Sequence, residues 1–222
     1  MEDNKYDFVI LTTACSRSEL HSKVLSDIPK FLFGYKCKWI IRVDELIESI
    51  DVTIKNLQQI LQDDHIDLEI KSSNRKAGRI SWFKSVQWCI NEGIKYTPKY
   101  GYFWLEDDWK LDSQLSLKEM FSPPENNYNY YISLANRNDL NFNPCIWSID
   151  LYKVYMHNKI NTSTMPEDGG NAERTCVFIG DEMGKNLSPE PTTNIQMKKM
   201  NLFYDVGRDW ANNNINGKRT FN

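Results

Sequence analysis

Glu106, Asp107 and Asp108 are three consecutive carboxylates, and they follow directly on the apolar and aromatic run Tyr102-Phe103-Trp104-Leu105. Trp109 closes the cluster. Adjacent acids repel one another, so the run calls for a counter-charge. A divalent cation supplies one well, because Mg²⁺ and Mn²⁺ prefer hard oxygen ligands. A solvated acidic turn is the plainer reading of the same residues. The preceding run reads as a buried strand. Acids at the carboxyl end of a central strand stand where open α/β sheets bind ligands. The combination points to a metal site serving a phosphorylated substrate.

The elements that must position these acids are legible in the hydrophobic pattern. Phe8-Val9-Ile10-Leu11 is a continuous apolar run that predicts a buried strand, ending in Thr12-Thr13-Ala14-Cys15-Ser16-Arg17. Ser16 and Glu19 have capping-box spacing, and Leu20, Val24 and Ile28 follow helical spacing until Pro29 stops the helix. Trp39 to Val43 predicts a second strand ending at Asp44-Glu45, and Ile47, Ile50, Ile54, Leu57 and Leu61 mark a second helix. Ile66, Leu68 and Ile70 alternate with acids like a half-exposed strand. A polar loop, Ser72 to Arg79, then leads into a third helix with Ile80, Phe83, Val86, Ile90 and Ile94 inward. The aromatic strand and its acids follow. This alternation predicts an α/β fold with a largely parallel sheet and helices on both faces.

The second half is less regular. Tyr130 to Leu134 and Asn143 to Trp147 read as strands, with a short helix from about Asp150. Met165-Pro166-Glu167-Asp168-Gly169-Gly170 is a loop, and Asn171 caps a helix through Glu173 and Val177. Leu202 to Gly207 reads as a late strand and turn, followed by a polar tail after Trp210. No internal repeat or domain boundary interrupts residues 1–222, so a single domain is expected.

Composition narrows the partners. The net charge is -3, which argues against a general nucleic-acid binder. The acidic start, Met1-Glu2-Asp3-Asn4-Lys5, has no apolar h-region after it, and no apolar run reaches the length of a membrane span. The expectation is a soluble protein of a cytoplasmic compartment. The five cysteines are odd in number, widely spaced and without a CxxC pair, so reduced thiols are expected rather than a zinc site or disulfide framework. Composition does not set the oligomeric state.

Competing chemistries lack their motifs. No GxGxxG follows the first strand, and neither a GxxxxGK[ST] P-loop nor a GxSxG elbow occurs. What remains is a sheet rim carrying Thr12, Asp44 and the acids Glu106 to Asp108, with Arg17, Lys76 and Arg79 in adjoining loops. This arrangement resembles the GT-A class of nucleotide-sugar glycosyltransferases. The phrase Leu105-Glu106-Asp107-Asp108-Trp109 is similar to one in small family-2-like transferases of bacteria and large viruses.

The resemblance implies a nucleotide-sugar-binding half over about residues 1–112 and an acceptor-side half over 113–222. It implies that Thr12, Arg17 and Asp44 hold the nucleoside, with Lys76, Arg79 and Arg208 as cations for ribose or diphosphate. Glu106 and Asp107 would contact ribose or the metal-bound diphosphate. Asp108 and, from the late strand, Asp205 would bind Mn²⁺ or Mg²⁺. Glu106 stands where the DxD pattern of the class has Asp. The resemblance further implies an inverting transfer to a glycan or other hydroxyl acceptor from a UDP-linked donor. Glu173 would be the base, and Asp168 its competitor in the preceding loop. Two other readings stay open. A nucleotidyltransferase would share the sheet and the acids but wants glycine after the first strand. A non-catalytic carbohydrate-binding module would explain the aromatics but not the acids.

Overall fold

A computed structural model describes residues 5–121, 130–135, 144–153 and 196–214. Among these residues the strands form one eight-stranded sheet in the order β3-β2-β1-β4-β7-β6-β8-β5. Strands β1 (Phe8–Cys15), β2 (Cys37–Glu45), β3 (Ile66–Lys76) and β4 (Gly101–Trp104) are mutually parallel. The other half contains β5 (Trp109–Leu111), β6 (Tyr130–Ala135), β7 (Cys145–Trp147) and β8 (Gln196–Asp205). Here β7 is antiparallel to β4 and β6, β8 is parallel to β6, and β5 is antiparallel to β8. The predicted α/β architecture is the observed one, a mostly parallel sheet with helices on both faces.

The faces follow from side-chain alternation along each strand. In β1, Phe8, Ile10 and Ala14 enter one core with Trp39, Ile41 and Val43 of β2, whereas Val9 and Leu11 enter a second core on the other side. Helices α1 (Ser18–Val24), α2 (Ile28–Phe31) and α3 (Ile50–Leu61) cover the first face through Leu20, Val24, Ile28, Phe31, Leu57 and Leu61. Helix α4 (Arg79–Gly93) covers the second through Phe83, Val86, Cys89 and Ile90. Two one-turn helices, α5 (Leu117–Met120) and α6 (Ile149–Leu151), and the longer α7 (Gly207–Asn214) complete the described elements. Trp39, Trp104 and Trp147 are fully buried, and removing a side chain of that size from water contributes roughly 3 kcal/mol each.

Several local expectations change. β1 runs to Cys15, so Thr12, expected at the strand end, lies inside the strand. β3 runs to Lys76, so most of the predicted polar loop after Ile70 is also strand, bent where Asn74 takes φ 55°. Pro29 opens a short second helix instead of ending the first, because its missing N–H is not needed in a first turn. Ser16 does not cap α1: its hydroxyl donates to the Glu48 carbonyl at 2.7 Å and accepts the Leu46 N–H at 2.7 Å. The orphan N–H of Ser18 goes to the Glu48 carboxylate at 2.5 Å, which Thr53 also reaches at 2.7 Å. Burial opposes ionisation of Glu48, but the bonds from Ser18 and Thr53 hold its carboxyl below the usual range. Ile47 and Ile80, expected inward, are exposed. The four described cysteines are free thiols. No helix among the described residues is long and apolar enough to cross a membrane.

Candidate active site

The parallel strands bring their carboxyl ends to one rim, and the acidic turn lies there between β4 and β5. Its three carboxylates divide by direction. Asp107 turns inward and is 3 % exposed. Its Oδ2 accepts the Cys15 N–H at 2.9 Å, the Arg17 Nε–H at 3.1 Å and the His21 Nε2–H at 2.8 Å. Its Oδ1 accepts Arg17 Nη2 at 2.6 Å. Burial opposes its ionisation, but Arg17 and His21 more than offset this and hold the carboxyl well below the usual carboxylate range. Arg17 is likewise kept charged despite burial by Asp107 and Asp108. Asp107 therefore ties the β1–α1 segment to the acidic turn.

Asp108 turns the other way. Its side chain is 25 % exposed and touches Arg17 Nη2 only at 3.3 Å. Burial, and the charges on Asp107 and Asp205, push it up to about 6 against the pull of Arg17. Glu106 accepts the Trp109 indole N–H at 3.2 Å. Burial followed by the charges of Asp108 and Asp107 raises Glu106 well above its ordinary value. Both shifts record carboxylates that lack a full counter-charge.

The late strand arrives beside them. Trp109 of β5 pairs with Asp205 of β8, and the Val206 N–H donates to the Asp108 carbonyl at 3.0 Å. Gly207 donates its N–H to Asp205 Oδ1 at 2.9 Å. A Cβ on Gly207 would lie 2.1 Å from Asp108 Oδ2, so only glycine lets this carboxylate reach the start of α7. Trp210 of α7 lies against the Arg17 guanidinium, 5.4 Å from ring centroid to carbon. Asp108 and Asp205 thus lie close together, although they are far apart in sequence. Among the described residues no three His, Cys, Asp or Glu side chains are already arranged to hold a metal ion. The donor set that faces outward, Asp108 with Asp205 and Glu106 beside it, is all hard oxygen and mutually repelling. That chemistry fits Mn²⁺ or Mg²⁺ with further oxygens from a ligand.

Other expected site residues fare differently. Thr12 is fully buried three residues before its strand ends, and its hydroxyl accepts the Trp39 indole N–H at 2.9 Å, so it is a core residue and not a nucleoside contact. Arg17 and Asp107, expected to meet ligand, are bound to each other. Asp44 is buried at the end of β2, where it accepts the Ser85 hydroxyl of α4 at 3.0 Å. Lys76 is exposed as the last residue of β3. Arg79 opens α4 and Arg208 is the second residue of α7. Asp168, Glu173 and the neighbouring Glu167 lie outside the described residues. His21 was missed. Its signal was its position one helical turn after Arg17, which places both on one face.

No protein-family model and no curated protein matches the chain. Solved structures do. The fold resembles that of S. aureus TarS, with a TM-score of 0.56 and 8 % identity over 91 % of this chain. A structure of TarS residues 1–349 gives 0.51 and 10 % identity over 90 % of this chain. The fold is the one these two structures share. The chain spans 37 % of the TarS chain and 60 % of TarS 1–349. A weaker likeness, TM-score 0.45 at 10 % identity, joins 98 % of this chain to 51 % of the glycosyltransferase GlyE of Streptococcus pneumoniae TIGR4.

Proposed function

We propose that the protein is a metal-dependent glycosyltransferase that moves a sugar from a nucleoside-diphosphate donor, UDP-linked, to a hydroxyl of a glycan acceptor. The observation that carries this reading is the approach of Asp108 and Asp205 at the carboxyl rim of a sheet whose fold is similar to that of TarS. Asp108 and Asp205 would hold Mn²⁺ or Mg²⁺, which as a Lewis acid stabilises charge on the departing diphosphate. Glu106, whose carboxyl is raised in the absence of a cation, stands next to that position and would ionise more readily once a cation is bound. Asp107, Arg17 and His21 keep the turn rigid, so the two ligating carboxylates need no ordering when the donor arrives. Lys76, Arg79 and Arg208 supply cations for the nucleotide, and Asp44 faces its nucleoside. Glu173 takes the proton from the incoming hydroxyl in an inverting displacement, with Asp168 the alternative base.

The test is a thermal-shift screen of nucleotide sugars with and without Mn²⁺, followed by turnover assays on the donor that binds. A UDP sugar should raise the midpoint only when Mn²⁺ is present. Absence of a shift with every donor in Mn²⁺ overturns the reading.

A further inference from the structure

Arg42 on β2 and Arg75 near the end of β3 form a second charge imbalance, of opposite sign to the acidic turn. The two strands are neighbours, and the register shift between Val43 and Glu45 falls where Arg75 passes Asp44. Asn74, at φ 55°, makes the bend that re-aims the residue after it. The Arg42 guanidinium lies 4.5 Å from the centre of the Trp88 ring on α4. Both side chains are half-buried. The Nε atoms of both are buried without a hydrogen-bond partner. Burial and the neighbouring Arg75 pull Arg42 below its ordinary value. Two acids come near, and both are engaged elsewhere: Asp44 accepts from Ser85, and Glu92 pairs with Lys95 at 2.6 Å. Lys71, the register partner of Arg42, adds positive charge.

Desolvated guanidinia that repel each other and carry unused N–H groups are a costly arrangement in the absence of an anion. A guanidinium held against an indole ring is fixed in position, and its terminal nitrogens suit two-point binding of an oxyanion. We propose that Arg42 and Arg75, backed by Trp88, form a binding site for a phosphoryl group at the β3 edge of the sheet. The proposal goes beyond glycosyl transfer and does not rest on it. The phosphoryl group belongs either to a nucleotide or to a separate phosphate, and the site recognises the chemistry the two share.

Inorganic phosphate titrated calorimetrically into the full chain in EDTA reads this site, because without a cation the acidic turn repels anions. Wild-type protein should bind one phosphate. Arg42→Gln and Arg75→Gln should each weaken binding about tenfold or more. Arg42→Lys, which keeps the charge but not the planar fork, should also weaken it. Circular dichroism and the ligand-free midpoint establish that each variant is folded; Arg75, at a strand end, serves if Arg42 variants do not fold. Asp108→Asn should bind phosphate as the wild type does. Unchanged phosphate affinity in folded Arg42→Gln and Arg75→Gln overturns the proposal, as does loss of binding in Asp108→Asn alone. UDP in EDTA distinguishes the sources. Competition with phosphate, weakened by Arg75→Gln, assigns the site to a nucleotide's phosphoryl group; simultaneous binding assigns it to a separate phosphate.

Discussion

The two ends of the parallel strands carry charge in opposite ways. At the amino ends, Lys38 is buried between Asp67 at 3.0 Å and Glu69 at 3.4 Å, the Tyr6 hydroxyl donates to Asp67, and Tyr96 faces the ammonium. Each charge there has a partner. Burial opposes the charge on Lys38, but Asp67 more than compensates and raises it. At the carboxyl ends, two of three consecutive carboxylates share the Arg17 guanidinium, which binds Asp107 closely and Asp108 weakly. Asp107 falls well below its ordinary value while Asp108 rises to about 6. One end of the sheet is electrostatically finished. The other is finished only around Asp107, and what it lacks is positive charge in front of Asp108. The proposed ligand site rests on that difference.

The contrast can be broken most severely at Asp107. Asp107→Ala would strand Arg17 and His21 in the interior, at a cost of about 3–5 kcal/mol, and should leave a poorly folded protein by denaturant unfolding. A variant as stable as the wild type would show that this tie does not hold the fold together. Asp108→Asn should behave differently although it is the next residue. It relieves repulsion, so stability at neutral pH should stay within about 0.5 kcal/mol. Donor turnover should fall about 100-fold, and the Mn²⁺ shift should vanish. Lys38→Met tests the finished end. Asp67 keeps 44 % of its side chain exposed and so stays solvated, which limits the loss to about 1 kcal/mol. Turnover by the folded variant should not change.

The smallest effect is a pH dependence of opposite sign on the two neighbours. The depressed carboxyl of Asp107 contributes stability that is present above the ordinary carboxylate range and lost as pH falls below it. The raised carboxyl of Asp108 contributes stability while protonated. It is lost as pH rises from the ordinary 3.8 through about 6, because the unfolded chain releases that proton first. Glu106, also raised, acts in the same direction as Asp108. The metal-free midpoint should therefore decline between about pH 4 and 6. Mn²⁺ should flatten the decline, since cation and proton compete for the same oxygens. A midpoint that rises over this window in the absence of metal would contradict the carboxylate deficit.

Much of the parallel half was readable from local pattern. Phe8 to Leu11, Trp39 to Val43 and Tyr102 to Leu105 are apolar runs that no exposed element tolerates, and the helices between them carry apolar residues at turn spacing. The site was readable in part. The acids were found because their repulsion is a property of adjacency, and Asp205 because it ends a legible strand. Their separate duties were not readable. Asp107 points inward because Cys15, Arg17 and His21, 86 to 92 residues earlier, supply its donors. The three-residue β5 is too short to show a period, and it exists because β8 pairs with it. Thr12 looked like a strand end because its hydroxyl looked polar; Trp39 on the next strand makes it interior. Ser16 had the spacing of a cap, but Glu48 took the role from outside the helix.

The sequence by itself determined the alternating α/β frame, the helices on both faces and the presence of an uncompensated acidic turn at a strand end. These follow from burial period and from charges fixed by covalent adjacency. Only the tertiary structure decided which acid is structural and which faces outward, that Asp205 joins Asp108, and that Arg42 and Arg75 come together with their Nε atoms unpaired. Those outcomes depend on groups brought close by strand pairing across long stretches of chain. Electrostatic energy depends on distance in space, and spacing along the chain does not encode it.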